Sequence, residues 1–181
     1  DKSELAIYNL QNKIIDKKII FKLLDINNLN ILKKIIKKEK IDIIFHAAAY
    51  KHVNILEKNI FSAVKNNIFA TYNLCNLSKK YFCEMVLIST DKAANPKSIL
   101  GYSKRVAEKI CEYFNKVENN KNFINIVRFG NVFGSSGSAI TNFLEQINAN
   151  KPINLTDVRA TRYFMTILEA CHLVLQTIEI K

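Results

Sequence analysis

Short apolar runs of strand-forming residues recur along this chain, each separated from the next by a helical pattern. Ile41 to Phe45, Met85 to Ser89 and Phe123 to Arg128 are such runs, and Lys18 to Leu24 is another that stops at Asp25. Between and after them lie segments with helical apolar spacing: 3–15, Asn28 to Lys38, Phe61 to Tyr81, Ile99 to Asn115, Ala139 to Ala149 and Thr166 to Ile178. Strands this short and continuously apolar are buried on both faces, and a helix between two of them returns the chain so that they run parallel. The order predicts an α/β fold, a parallel sheet with helices on both faces. With no internal repeat and no low-complexity linker, the 181 residues read as one domain with its own core.

In open α/β sheets ligands bind beyond the carboxyl ends of the strands, and the polar clusters obey that rule. His46-Ala47-Ala48-Ala49, Ser89-Thr90-Asp91-Lys92 and Arg128-Phe129-Gly130-Asn131 each follow a predicted strand, so three strand ends converge on one candidate site. The four glycines, at 101, 130, 134 and 137, all fall after or between strand ends.

The net charge of +11, from 27 Lys and Arg against 16 Asp and Glu, raises the question of a polyanionic partner. The lysine pairs are scattered (17/18, 33/34, 37/38, 79/80) and no aromatic ladder interleaves them. A nucleic-acid site needs a concentrated basic face with stacking groups, so the lysines read as solvated helix faces and no nucleic-acid partner is expected. No apolar run is long enough to span a bilayer, and no membrane contact is expected from this segment. Cys75, Cys83, Cys111 and Cys171 form no CxxC and stand at no metal-ligand spacing from a histidine. No metal is expected, and the four read as buried free thiols in a reducing cytoplasm.

Asp91 and Lys92 place an acid beside a base where a buried strand gives out. Such neighbours shift each other's proton affinity and can take opposite proton-transfer roles, although the same pair also occurs as a plain loop-start ion pair. Lys104 lies on the next predicted helix. The position one turn before it holds Leu100 rather than a tyrosine, and Tyr102, roughly 200° around the helix, cannot bring a phenol to Lys104. His46 precedes three alanines, small enough for a flat ligand to approach the backbone. The 134–138 loop (GSSGS) leads into a helix, where backbone N–H groups can meet an anion or simply cap the turn. Arg162 has the fork geometry for a phosphate.

HAAAYKHV (46–53), LISTDKAANP (87–96), GYSK (101–104), RFGNVFGSSGS (128–138) and TRYFMT (161–166) resemble the CapD-like polysaccharide-biosynthesis group of the extended short-chain dehydrogenase/reductases, which includes the UDP-N-acetylglucosamine 4,6-dehydratases. The resemblance runs through essentially the whole chain. It implies a Rossmann-like fold, NAD or NADP as cofactor, a UDP-sugar substrate, a cytoplasmic catalytic domain and self-association. It implies that the reaction removes water from the sugar by an internal redox cycle. Lys92 would take the carbon-5 proton, Asp91 would protonate the departing 6-hydroxyl, Thr90 would bond near the 4-oxygen and Lys104 would hold the nicotinamide ribose. Asp25, Ile26, Ala47, Ala48, Ala49, Asn67 and Ser89 match cofactor-side positions. Lys51, His52, Asn131, Ser138 and Arg162 match substrate-side positions, Arg162 at the diphosphate.

Two departures from the family pattern matter. Leu100 stands where most members carry a catalytic tyrosine, as Met does in a subset of large membrane-anchored members. The sequence also begins at Asp1, just after the family's second strand, so the first βα unit with its Gly-rich pyrophosphate loop is missing. The expectation is that the natural product is longer and that this segment alone is poorly stable and inactive. Three further readings are carried forward: a nucleotide-sugar epimerase or reductase, a nucleotide-sugar-binding remnant without activity, and a basic nucleic-acid binder.

Overall fold

Alternate residues of one strand, Glu84–Thr90, face helices on opposite sides of the sheet, and this strand sets the architecture. The computed structural model describes residues 1–117, 124–135, 139–155 and 157–179. Its helices are α1 (Glu4–Lys13), α2 (Leu29–Glu39), the single turns α3 (Val53–Leu56) and α4 (Ile60–Ala63), α5 (Ala70–Tyr81), α6 (Ile99–Val117), α7 (Ala139–Asn148) and α8 (Ile167–Glu179). Strands β1 (Ile43–His46), β2 (Glu84–Thr90) and β3 (Ile124–Phe129) form a parallel sheet in the order β1-β2-β3. Ile43 lies opposite Glu84, Met85 opposite Ile124 and Ser89 opposite Arg128. Beyond Gly130 the chain adds a second parallel pair, β4 (Asn131–Val132) with β5 (Phe164–Met165).

Met85 and Leu87 point to one face, where they pack with Leu74 and Cys75 of α5, Ala107, Cys111 and Phe114 of α6, and Ile124 of β3. Val86 points the other way, as the period of two requires. Its register partner Asn125 donates its side-chain amide to the carbonyl of Thr177 on α8, so α8 covers that face. The predicted α/β class, with helices on both sides of a parallel sheet, is what the chain forms. Truncating a well-packed core methyl tests this packing. Ile124→Val is expected to cost about 1 kcal/mol of unfolding free energy, read from the midpoint of a urea transition at unchanged slope.

Local sequence chemistry fixes the helix ends. Ser3 Oγ accepts from the N–H of Ala6 at 3.2 Å and Asn28 Oδ1 from that of Ile31 at 3.4 Å, each satisfying a free donor of a first turn. Lys40 (φ 49°) and Phe82 (φ 55°) stop α2 and α5 in the left-handed region. The apolar pattern over 61–81 predicts one long helix. The structure forms one unbroken helical segment there, in which α4 runs through a π-helical turn, Val64–Phe69, into α5. The wider turn carries Asn66 and Asn67, both buried.

Several expectations are corrected. Lys18 to Leu24 forms no strand: Leu24 N–H donates to the Asp1 carbonyl at 2.8 Å and the Asp1 ammonium to the Lys22 carbonyl at 3.2 Å, with no ladder beyond these. A strand needs a hydrogen-bonded neighbour, and the outer edge of β1 carries none among the described residues. Helix 3–15 is present as α1 but buries no residue, and Leu5, Tyr8 and Leu10 are exposed. Cys75, Cys83 and Cys111 are buried thiols, whereas Cys171 is exposed on the outer side of α8. The turn α3 and the two-residue strands β4 and β5 are too short to leave a periodic signature. Phe123, the expected start of β3, lies outside the described residues, as do Gly137 and Ser138. Among the described residues no helix is long and apolar enough to cross a membrane, and no group of three or more His, Cys, Asp or Glu is placed to hold a metal ion.

Candidate functional site

β1, β2 and β3 end at His46, Thr90 and Phe129, and the residues that follow wall a cleft of about 340 Å³. Ala47, Ala49, Lys51 and His52 line it from β1; Ser89, Thr90 and Lys92 from β2; and Phe129 to Val132 from β3. Helix α6 adds Leu100 and Lys104, and β5 adds Phe164. A second cavity of about 210 Å³ is lined by Asp25, Ile26, Ala47, Ala48, Ala49 and Asn66, together with Asp1, Lys2, Leu24 and Tyr50. Ala47, Ala49 and Tyr50 belong to both, so the two spaces meet across one small-residue segment.

The acid and the base predicted from the sequence do meet. Lys92 Nζ lies 3.0 Å from Asp91 Oδ1 and 3.4 Å from Asn131 Oδ1. Thr90 Oγ1 donates to Asp91 Oδ1 at 2.9 Å and accepts the N–H of Lys92 at 3.4 Å, capping the 3₁₀ turn Asp91–Ala93. Partial burial pulls the Asp91 carboxyl up, but the bonds from Lys92 and Thr90 outweigh it and leave it below the ordinary carboxylate range. Asp91 therefore rests as a carboxylate. Gly101 makes this turn sterically accessible to α6, since a Cβ there would sit 2.7 Å from the Lys92 carbonyl oxygen.

Lys104 is 5% exposed and lines the cleft. Burial pushes its pKa down to about 8, with Cys111 and Glu108 opposing the shift. Leu100, one turn earlier, lines the cleft beside it, and Tyr102 is exposed on another side of the helix, as the helical geometry requires. His46 is buried, with Nε2 at 2.9 Å from Thr71 Oγ1, whose only hydrogen goes to the Asn67 carbonyl at 2.7 Å. The hydroxyl must then accept from His46, so the imidazole carries its proton on Nε2. Burial, helped by the charge of Lys104, lowers the His46 pKa to about 4 and keeps the ring neutral.

Asn67 and Arg162 do not line either cavity. Asn67 is buried in the π turn with its amide fully engaged: Oδ1 accepts the Tyr50 N–H at 2.8 Å, and Nδ2 donates to the Tyr50 carbonyl at 3.0 Å and Ser103 Oγ at 3.1 Å. It fixes the Ala47–Tyr50 segment between the two cavities instead of offering groups to a ligand. Arg162 is exposed and donates to the carbonyl of Thr161 at 2.6 Å, two residues from Phe164 in the cleft wall. Asp25 accepts the backbone and side-chain N–H groups of Asn27, which hold its carboxyl below the ordinary range at the mouth of the second cavity. The proposed substrate contact at Ser138 falls outside the described residues.

Glu108 is the group that sequence reasoning missed. It is buried on α6, and Ser89 Oγ, Arg128 and Arg105 all donate to its carboxylate. Burial raises its carboxyl, and the bonds from Arg128 and Ser89 more than reverse that, holding it below the usual carboxylate range. The available signal was its position four residues after Lys104 and three before Cys111, on the inward face of an amphipathic helix.

A family model described as "Polysaccharide biosynthesis protein" matches residues 1–181. The capsular polysaccharide biosynthesis protein CapD of Staphylococcus aureus is 42% identical over 153 residues, which cover 84% of this chain and 25% of CapD. A UDP-N-acetylglucosamine 4,6-dehydratase (inverting) of Campylobacter jejuni is 33% identical over 142 residues, 77% of this chain and 42% of that enzyme. A UDP-glucose 4-epimerase of Rickettsia canadensis is 33% identical over 141 residues, 77% of this chain and 41% of the epimerase. Among solved structures, Pen from Bacillus thuringiensis superposes with a TM-score of 0.92 at 33% identity, over 99% of this chain and 56% of Pen. The chain thus spans a quarter to about half the length of these relatives.

Proposed function

Since the chain belongs to the polysaccharide biosynthesis protein family, in the CapD-like branch of the extended short-chain dehydrogenase/reductases, we propose that it carries the catalytic centre of a nucleotide-sugar 4,6-dehydratase acting on UDP-N-acetylglucosamine. The observation that carries this reading is the Asp91–Lys92 pair, 3.0 Å apart, whose Lys92 lines a cleft with Leu100 in place of a phenol on its α6 wall. Loss of water across two adjacent carbons needs one group to take a proton and another to give one. Epimerisation at carbon 4 by removal and return of hydride moves only the proton of the 4-hydroxyl and needs no acid and base at carbons 5 and 6.

The two cavities suit a dinucleotide. Alanine methyls at the junction leave room for close approach, Asp25 and Ile26 line one cavity, and Lys104 lines the other. When bound there, NAD or NADP supplies a hydride acceptor and donor for the sugar carbons. Lys104 would hold the ribose hydroxyls of that group, with Ser89 beside it on the wall. Lys51, His52 and Asn131 would receive the sugar nucleotide, and Arg162 would reach its diphosphate.

At rest the proton of the pair lies on Lys92. A sugar filling the cleft removes water from both groups, which disfavours two separate charges relative to a neutral acid and a neutral amine. One proton moving along the 3.0 Å bond leaves Lys92 as the base for carbon 5 and Asp91 as the acid for the 6-hydroxyl. Asn131, which accepts from Lys92 Nζ, aims the amine, and Thr90, bonded to Asp91, stands near the 4-oxygen. With Leu100 apolar, the 4-hydroxyl proton leaves through Thr90 or water.

The similarity to a UDP-glucose 4-epimerase supports a second reading, and product mass separates the two. UDP-N-acetylglucosamine incubated with NAD and the complete protein that carries this chain is expected to yield a product lighter by one water. An unchanged mass from folded, cofactor-loaded protein would sink the dehydratase reading and leave the epimerase.

A further inference from the structure

One carboxylate joins three of the elements that wall the cleft, β2, β3 and α6. Glu108, 1% exposed on α6, accepts from Ser89 Oγ of β2 (2.6 Å to Oε1) and from Arg128 of β3 (Nε to Oε1, 2.7 Å; Nη2 to Oε2, 2.6 Å). Arg105 of its own helix adds a bond of 3.2 Å to Oε2. Ser89 and Arg128 are register partners, so the carboxylate ties two neighbouring strands at their last turn before the cleft. Immediately beyond them come Thr90-Asp91-Lys92 and Gly130-Asn131. One turn before Glu108 on the same face of α6 stands Lys104.

Stability alone does not explain a charge at this position. A buried ion pair gains little over well-packed apolar groups, because desolvation offsets the attraction. What a bidentate, fully bonded carboxylate does supply is fixed distance and angle among the groups that hold it.

Resting on the dehydratase reading above, we propose that Glu108 is a positioning residue for that reaction: its carboxylate locks the ends of β2 and β3 to α6, so that Lys92 and Asn131 face the sugar and Lys104 faces the cofactor in a single geometry. The same carboxylate is the anion nearest along the helix to Lys104. Among the described residues, His46 from β1 and Cys111 and Glu108 from its own helix act on Lys104, and Lys92 lines the same cleft. Arg128 and Arg105 stand behind Glu108. Removing the Glu108 charge takes away one of the two groups, with Cys111, that oppose the effect of burial on Lys104, so its midpoint must fall further below the ordinary lysine value.

Glu108→Gln in the complete protein tests this, since it keeps size while removing the charge and the bidentate acceptor. Turnover of UDP-N-acetylglucosamine is expected to drop about thirtyfold with KM within about twofold, the mark of misplaced groups rather than lost binding. The Lys104 midpoint, read by trace acetylation across pH with mass spectrometry, is expected to fall by about one pH unit. Activity lost only in proportion to folded protein, with that midpoint unmoved, overturns the proposal. If E108Q does not accumulate folded, Arg128→Lys keeps the charge but removes the two-pronged β3 bond, at a residue that lines neither cavity, and must still lower kcat about fivefold at unchanged KM; an unchanged kcat overturns it. A folded wild-type protein that releases no water from the sugar sinks the reaction reading instead, and the Lys104 midpoint then decides on the clamp by itself.

Discussion

Lys92→Ala is expected to lower kcat for water loss by about a thousandfold while the protein keeps its fold, in line with the loss of a general base. The fold survives because both members of the Asp91–Lys92 pair are over a third exposed, and such pairs contribute about 0–1 kcal/mol. The informative companion is Lys92→Arg. Arg restores the positive charge and the reach to Asp91, so a purely structural ion pair would regain its function. A base would not, because the guanidinium stays protonated and has no lone pair to offer. Equal loss in both variants, measured as product mass per unit time at matched melting temperature, supports proton abstraction by Lys92. Recovery in the Arg variant would remove Lys92 from the chemistry and leave it as a tether for Asn131 and Asp91.

The second large effect is expected at a residue with no side chain. Gly101→Ala places a methyl 2.7 Å from the Lys92 carbonyl oxygen and 3.2 Å from Pro96 Cα and Cβ. Two tendencies oppose each other. Alanine is the better helix former by about 1 kcal/mol, and the first turn of α6 would gain from it. The contacts, however, are with backbone and a proline ring, neither of which can rotate away, and overpacking of this kind costs about 1–3 kcal/mol. The clash wins, and the Lys92 turn must move by several tenths of an ångström. Turnover is expected to fall about a hundredfold for a misplacement of that order, with a slightly lowered melting temperature. Activity within threefold of wild type would show that the turn yields without cost and that Gly101 has no part in placing Lys92.

The two variants probe parts of the molecule that differ in how readily the sequence discloses them. Met85 to Ser89 is legible because a strand buried on both faces needs an unbroken apolar run. Leu100, Tyr102 and Lys104 are legible because helix arithmetic alone says which of them share a face. Lys18 to Leu24 has the same β-forming composition as the true strands, but composition does not supply a neighbour, and the run stays unpaired. Glu108 fails for the opposite reason. An acid in a helix reads as solvated unless its partners are known, and Ser89 and Arg128 come to it from 19 and 20 residues away along the chain. Asn67 looked like a ligand group because it falls at a cofactor-side position of the resembled family. Its amide is occupied by Tyr50 and Ser103, a fact that depends on the π turn.

That turn also bears on what kind of change this protein can accept over time. A π turn holds about one residue more than an α turn, and each residue advances a helix by about 100°. Everything after Phe69 is therefore out of phase with everything before Val64 by one step. Leu74 and Cys75 reach the core, and Asn67 reaches Tyr50, only because of that offset. The segment can drift in composition wherever a side chain faces water, as at the exposed Phe69. It cannot gain or lose a residue, since either event would rotate α5 away from the sheet while leaving every local propensity intact. Its length, more than its identity, is the inherited quantity.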